Sequence, residues 1–155
     1  MNNITPDAVA KHLSSLFGLS VKLTPAKPTD IKEPAIVATI SDESGGICCL
    51  MHCDLAGAAS MGAALSRIPA GVVQDALKKK VLEEGLLENF HEIANIMTVL
   101  TTASAGKRTI LAAVSESKDV KAPQAAKLLR TSKRKHYMRV AVSGYPDGFL
   151  GFVSE

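Results

Sequence analysis

The stretch LLENFHEIANIMTVLTT, Leu86 to Thr102, decides how this chain folds. Leu86, Phe90, Ile93, Met97 and Leu100 recur at spacings of four and three, the repeat of one apolar stripe on a helix. Ala94 and Ile96 widen the stripe. At about 100° per residue, Glu88, Glu92, Asn95 and Val99 fall together on a different face. The segment therefore carries a stripe that buries and a row of two carboxylates, an amide and a valine that has no need to.

Upstream of this helix, Pro69-Ala70-Gly71 breaks the chain. Val72 to Val81 then reads as a helix whose Lys78, Lys79 and Lys80 are a solvated run, and Gly85 interrupts or kinks the path onward. Asp54 caps an earlier helix over LAGAASMGAALSRI. Gly57 and Gly62 are costly there for helix propensity, so we read them as points of close packing on a sheet. A phosphate-cradling loop is the alternative, but neither GxGxxG nor GxxxxGK[ST] is present. Ala35 to Ile40 is a strand, Asp42 to Gly46 a turn and Ile47 to Cys53 the returning strand, which makes a hairpin with a loop of about five residues. Nearest the N-terminus, Thr5-Pro6-Asp7 opens a helix with Val9, Leu13, Leu16 and Phe17 on its apolar face and Gly18 as its stop. Val21 and Leu23 mark a short strand ending near Pro25, and Lys27 to Asp30 is turn or loop.

Downstream, Ala105-Gly106-Lys107 ends the central helix. Thr109 to Val114 is a strand, Ser115 to Lys121 a polar loop, and Pro123 to Leu129 a short helix. Met138, Val140 and Val142 alternate as a strand; Gly144 to Gly148 turns, and Phe149 to Val153 pairs back. The order is helix, strand, hairpin, helices, strand, hairpin, with no repeated βαβ unit. It predicts an α+β domain over residues 1–155: a mostly antiparallel sheet with long helices packed on one side.

Composition narrows the function classes. Apolar residues make up 46% of the 155 and charged residues 21%, a globular balance. No apolar run approaches the roughly 20 residues needed to span a bilayer, and MNNITPDAVAKHL lacks the pattern of a secretory leader. We therefore expect a cytoplasmic protein with no membrane association. The net charge of +3 is too small to argue for nucleic acid. Lys127, Arg130, Lys133, Arg134, Lys135 and Arg139 do form a basic stretch. It reads as a solvated linker or edge ahead of an acidic partner, and ahead of nucleic acid, since no aromatic residues interleave it. Cys48, Cys49, His52 and Cys53 lie close together in sequence, but zinc sites pair two such clusters and no second one exists. The expectation is a buried strand with reduced cysteines and no metal.

The combination resembles the CheX/CheC family of chemotaxis phosphatases, most closely the CheX branch. The resemblance is carried by Ala35 to Asn95: a hairpin with a Gly45-Gly46 turn, a small-residue helix after Asp54, then a long helix bearing E-x-x-N as Glu92-Ile93-Ala94-Asn95. It implies a CheC-like fold and a phosphatase-type activity on the aspartyl phosphate of a CheY-like response regulator. By that analogy Asn95 orients the attacking water and Glu92 pairs with a lysine of the receiver, with Glu88 and Val99 on the partner-facing surface. No cofactor of the chain's own is implied, since the receiver holds the Mg²⁺. A homodimer is implied as well.

Three positions depart from the family pattern. Val99 stands where Gly is usual, Glu116 and Ser117 occupy a region that usually has Pro, and Glu88 stands where Ser or Asp is usual. These departures imply a diverged member with weak activity. The alternatives are a non-catalytic CheC-like module that docks a receiver or a flagellar-switch partner, and a dimerisation domain with no signalling role.

Overall fold

The computed structural model describes residues 4–155. The leader reading rests partly on residues 1–3 and to that extent lies outside the described residues. Helix α1 (Pro6–Phe17) is capped by the Thr5 hydroxyl, which accepts from the Ala8 amide, and ends at Gly18 with φ of 64°. Strands β1 (Val21–Ala26), β2 (Ala35–Asp42) and β3 (Ile47–Asp54) follow. Helices α2 (Leu55–Leu65), α3 (Ala70–Lys79) and α4 (Glu84–Ala105) come next. Strand β4 (Thr109–Glu116), helix α5 (Pro123–Thr131) and the hairpin β5 (Arg134–Val142) and β6 (Gly148–Ser154) complete the chain.

The six strands form one antiparallel sheet in the order β1-β5-β6-β3-β2-β4. Read from either end, each lone strand lies on the hairpin of the opposite half: β1 on β5, and β4 on β2. The two halves are thus related by a pseudo-two-fold between β3 and β6. Alternation along the strands sends Ile36, Ala38, Ile40, Met51, Met138, Val140 and Phe152 into the main core beneath α1 to α4. Val37, Leu50, Tyr137 and Val153 point to the other face. There α5 covers them with Ala125 and Leu128. The α+β architecture holds, with the long helices on one face and the short α5 alone on the opposite one.

Several boundaries differ from the sequence reading for identifiable reasons. Helix α2 stops at Leu65, because Arg67 takes a positive φ of 56° ahead of Pro69. Helix α3 ends at Lys79, where Lys80 adopts a left-handed cap. Gly85 sits in the first turn of α4 and interrupts nothing. Strand β4 runs on through Ser115 and Glu116, which pair with Val37 and Ile36. Strand β1, by contrast, ends at Ala26, near Pro25 as read, and the proline is tolerated on an edge strand that needs no donor there. The basic stretch is neither linker nor edge in its second half: Arg134 to Arg139 lie in β5, between β1 and β6. Its cations sit at surface positions while Tyr137 and Met138 are buried.

The glycines of α2 have two different partners. A Cβ at Gly57 would lie 2.6 Å from the Phe149 carbonyl oxygen, and one at Gly62 would lie 2.7 Å from the Leu86 carbonyl oxygen. So one glycine admits the β6 backbone, as expected of packing on a sheet, and the other admits α4. Helix α2 is thereby clamped between sheet and α4 with Ala58, Ala59, Ala63 and Ala64 buried. No helix among the described residues is long and apolar enough to cross a membrane.

Candidate functional site

Helix α4 is fixed from below. Phe90, Ile93, Ala94 and Met97 are fully buried, and Leu86 and Leu100 nearly so. Beside this stripe the Asn89 side-chain amide donates to the Gly62 carbonyl and to the Ser66 hydroxyl, both at 2.9 Å, locking α4 onto α2. With that face committed, the opposite face is set by helical geometry. Glu88, Glu92, Asn95 and Val99 are all exposed on it. Among the described residues, no side chain hydrogen-bonds the Asn95 amide and no cation pairs with Glu88 or Glu92. Val99 is 58% exposed, the most open of the large apolar side chains among the described residues.

The C-terminal end of the row is held by a threonine cluster. The Thr109 hydroxyl lies 2.6 Å from that of Thr101 and 2.9 Å from that of Thr102. The Thr109 amide donates to the Thr102 hydroxyl at 2.9 Å. Gly106, at φ of 69°, caps the helix and lets the chain turn directly into β4. Two ion pairs then tie this turn to the β2–β3 turn: Lys107 to Asp42 at 2.9 Å and Arg108 to Glu43 at 3.2 Å. The Asp42 carboxyl also accepts from the Ser44 hydroxyl, and from the Ser44 and Gly46 amides. The Ser44 hydroxyl, the Lys107 ammonium and the Gly46 amide hold it well below the usual carboxylate range.

The result is a shallow groove of about 390 Å³ running from Asn95 past Val99 and Thr102 to Arg108 and Ile110. A second hollow, about 370 Å³, adjoins the other end of the row at Leu87, Glu88 and His91. Sequence reasoning found the α4 side of this surface and missed Arg108 and Ile110, which come from a different element. No periodicity links them to the row; only the fold does. Glu116 and Ser117, where the family usually has Pro, lie at the far end of β4 from this groove, and the Ser117 hydroxyl donates to the Glu33 carboxylate at 2.7 Å.

The cysteine cluster does not converge. Cys49 and Cys53 are buried in the main core, whereas His52 faces the α5 side, with its Nδ1 2.8 Å from the Tyr137 hydroxyl. Cys48 is half-buried at the β2–β3 bulge, its Sγ 3.5 Å from the Ile40 carbonyl oxygen. Burial pushes the Cys49 thiol up to about 12 and raises that of Cys53 well above the ordinary thiol range, which favours the neutral thiol at both.

What the site residues have in common is a rigid helix that presents an unpaired amide and two unpaired carboxylates next to a groove. Such a surface can orient a water molecule and meet a cation on a partner. It holds no nucleophile–base pair of its own.

No family model matches the chain, and no curated protein does. Solved structures do. A FliG–FliM complex from H. pylori matches with a TM-score of 0.61 at 11% identity, covering 98% of this chain and 87% of that one. FliY from Thermotoga maritima matches with a TM-score of 0.53 at 11% identity, covering 98% and 85%. The chemotaxis protein CheX from Vibrio vulnificus matches with a TM-score of 0.52 at 16% identity over the full length of both chains. At such identities the likeness is one of fold, and the chain has the fold shared by CheX and the FliM-type domains.

Proposed function

We propose that this protein is a phosphatase-type helper that dephosphorylates the aspartyl phosphate of a CheY-like receiver, with Asn95 orienting the attacking water and Glu92 pairing with a receiver lysine. One observation carries the reading. In a CheX-type fold, an unpaired amide and a carboxylate one turn before it stand exposed on the helix whose other face is locked into the core. The chemistry asks little of the helper. Water attacks phosphorus, the new P–O bond forms, and the bond to the receiver's aspartate breaks. The aspartate leaves as a carboxylate, and inorganic phosphate carries away the oxygen of the water. The water's proton passes to solvent or phosphate. The receiver supplies the Mg²⁺ that neutralises the phosphoryl oxygens, so the helper acts by positioning. An amide suits that task because it donates and accepts at once without adding negative charge.

A second reading, docking without hydrolysis, draws on Val99. Its open side chain projects one turn beyond Asn95, in the path by which a receiver's phosphoaspartate pocket reaches the amide. The two readings separate in one experiment, the decay of phosphorylated CheY-like receivers from the same organism with and without the protein. Faster decay that disappears in Asn95→Ala, with the melting temperature unchanged, supports the phosphatase. Binding without faster decay supports the docking module. Decay equally fast with Asn95→Ala places the chemistry elsewhere.

A further inference from the structure

The groove beside Asn95 ends on a residue the reading above leaves unused. Arg108 lines that groove from the turn just before β4, and it also lines the hollow formed by Asp42, Glu43, Ser44 and Lys107. Its side chain is therefore the ridge between the two. The Arg108 side chain is 72% exposed, yet its direction is set: Nη1 donates to Glu43 Oε1 at 3.2 Å. Its backbone is set too, by the Gly106 cap before it and the threonine cluster after it.

Charge along this face runs one way. Glu84, Glu88 and Glu92 occupy the N-terminal half of α4, exposed and, among the described residues, without a cation at ion-pair distance. Asn95 and Val99 follow. Arg108 closes the far end, with Ile110 next to it and 40% exposed. The sequence of groups is acid, amide, apolar, base.

The fold does not require this cation. In the first half of the chain, Gly18-Leu19-Ser20 makes the same left-handed cap and the same step into a strand, and Ser20 stands where Arg108 stands. The pair with Glu43 is solvent-exposed on both sides, the kind that adds little stability. Lys107, by contrast, is engaged with Asp42 in anchoring the turn. That leaves Arg108 as a placed charge whose one exposed tie, to Glu43, adds little to the fold.

We propose that Arg108 is a specificity-determining contact for the receiver: it meets a carboxylate on the receiver's docking edge while Glu88 and Glu92 meet a cation, so the receiver seats along α4 in one direction only. This rests on the receiver reading above. The partner group is a surface carboxylate and not the phosphoryl group, because Glu43 draws the guanidinium toward the β2–β3 turn rather than over the α4 row. Reversed docking brings like charges together at both ends, which is how charge patterning rejects wrong orientations and wrong partners. The apolar ground between, Val99 and Ile110, takes up whatever apolar surface the receiver presents there.

The test uses CheY-like receivers from the same organism, loaded with beryllofluoride and Mg²⁺, and follows association by stopped flow at low and high salt. Arg108→Glu is expected to slow association about tenfold at low salt, with the difference shrinking as salt screens it. Arg108→Lys keeps the charge and is expected to stay within about twofold of wild type. Glu43→Gln leaves Arg108 in place but frees it, and is expected to speed association by about twofold. Replacing the matching receiver carboxylate with lysine should restore the rate of Arg108→Glu. If Arg108→Glu associates as fast as wild type while Glu92→Lys is slowed, the proposal falls and the receiver reading stands. If wild type binds no receiver, both fall.

Discussion

Replacing Val99 with glycine tests whether this side chain limits catalysis. Val99 is 58% exposed, so the fold loses only the contacts of its buried remainder. Full burial of a valine is worth about 1.5–3 kcal/mol, so the part at stake is roughly 1 kcal/mol. Glycine inside a helix adds about 0.3–0.5 kcal/mol over valine. The sum, about 1–1.5 kcal/mol, lowers the melting temperature of a chain this size by about 2–6 °C. Against that modest cost, glycine opens a notch one turn beyond Asn95 by removing two methyl groups that are stiff about χ1. A reaction run by positioning loses roughly 10²-fold for a displacement of about 1 Å, so relief of the obstruction should raise the rate of receiver dephosphorylation by about 10- to 100-fold. The assay is single-turnover decay of the phosphorylated receiver with wild type and Val99→Gly, each checked by thermal melting. A wild type already fast, or a folded Val99→Gly no faster than wild type, would refute the claim that Val99 stands in the way.

Two further outcomes concern the scaffold. Phe90 is fully buried at the centre of the α4 stripe, and Phe90→Ala should cost about 3–5 kcal/mol in denaturant unfolding; a loss under about 1 kcal/mol would mean that the stripe is not the core. Burial beneath α5 pulls the His52 pKa below its usual 6.5, with Glu33 opposing and Lys135 assisting. The unfolded chain therefore binds this proton more tightly than the folded one. Stability rises with pH from the lowered folded pKa up to 6.5 and is lost on acidification through that window. Melting curves between about pH 5 and pH 7.5 should show that slope in wild type and a flatter one in His52→Gln; equal slopes would show that another group titrates.

Much of the fold was legible because its signals are local. The α4 stripe is periodic, the caps at Thr5, Asp54 and Gly106 are short-range chemistry, and the Asp42–Gly46 turn announces its hairpin. What was not legible depends on tertiary contact. Gly62 reads as a point of packing on a sheet until the Leu86 carbonyl of α4 is seen against it. Arg134 to Tyr137 read as linker or edge because charge masks the first residues of β5, where Tyr137 is buried under α5. Arg108 and Ile110 join the Asn95 surface only because the threonine cluster folds β4 back beside α4. The repeated order of helix, strand and hairpin is in the sequence reading, but the exchange of lone strands between the two halves appears only in the sheet order.

That internal symmetry separates what the fold needs from what the row adds. Counted back from the capping glycines, Asp7 of α1 stands where Asn95 stands in α4, and Lys11 stands where Val99 stands. Glu92 has no helical counterpart, since α1 begins at Pro6. The core positions correspond more closely: Val9 and Leu13 are buried as Met97 and Thr101 are. One architecture is thus built twice, with the inward faces alike and the outward faces different. A carboxylate and an ammonium one turn apart satisfy α1 as well as an amide and a valine satisfy α4, so helix packing does not dictate Asn95. The same holds for Arg108 against Ser20. The outward residues of α4 are then free to answer to a partner, and a partner that reads acid, amide, apolar group and base in that order finds it on only one of the two faces.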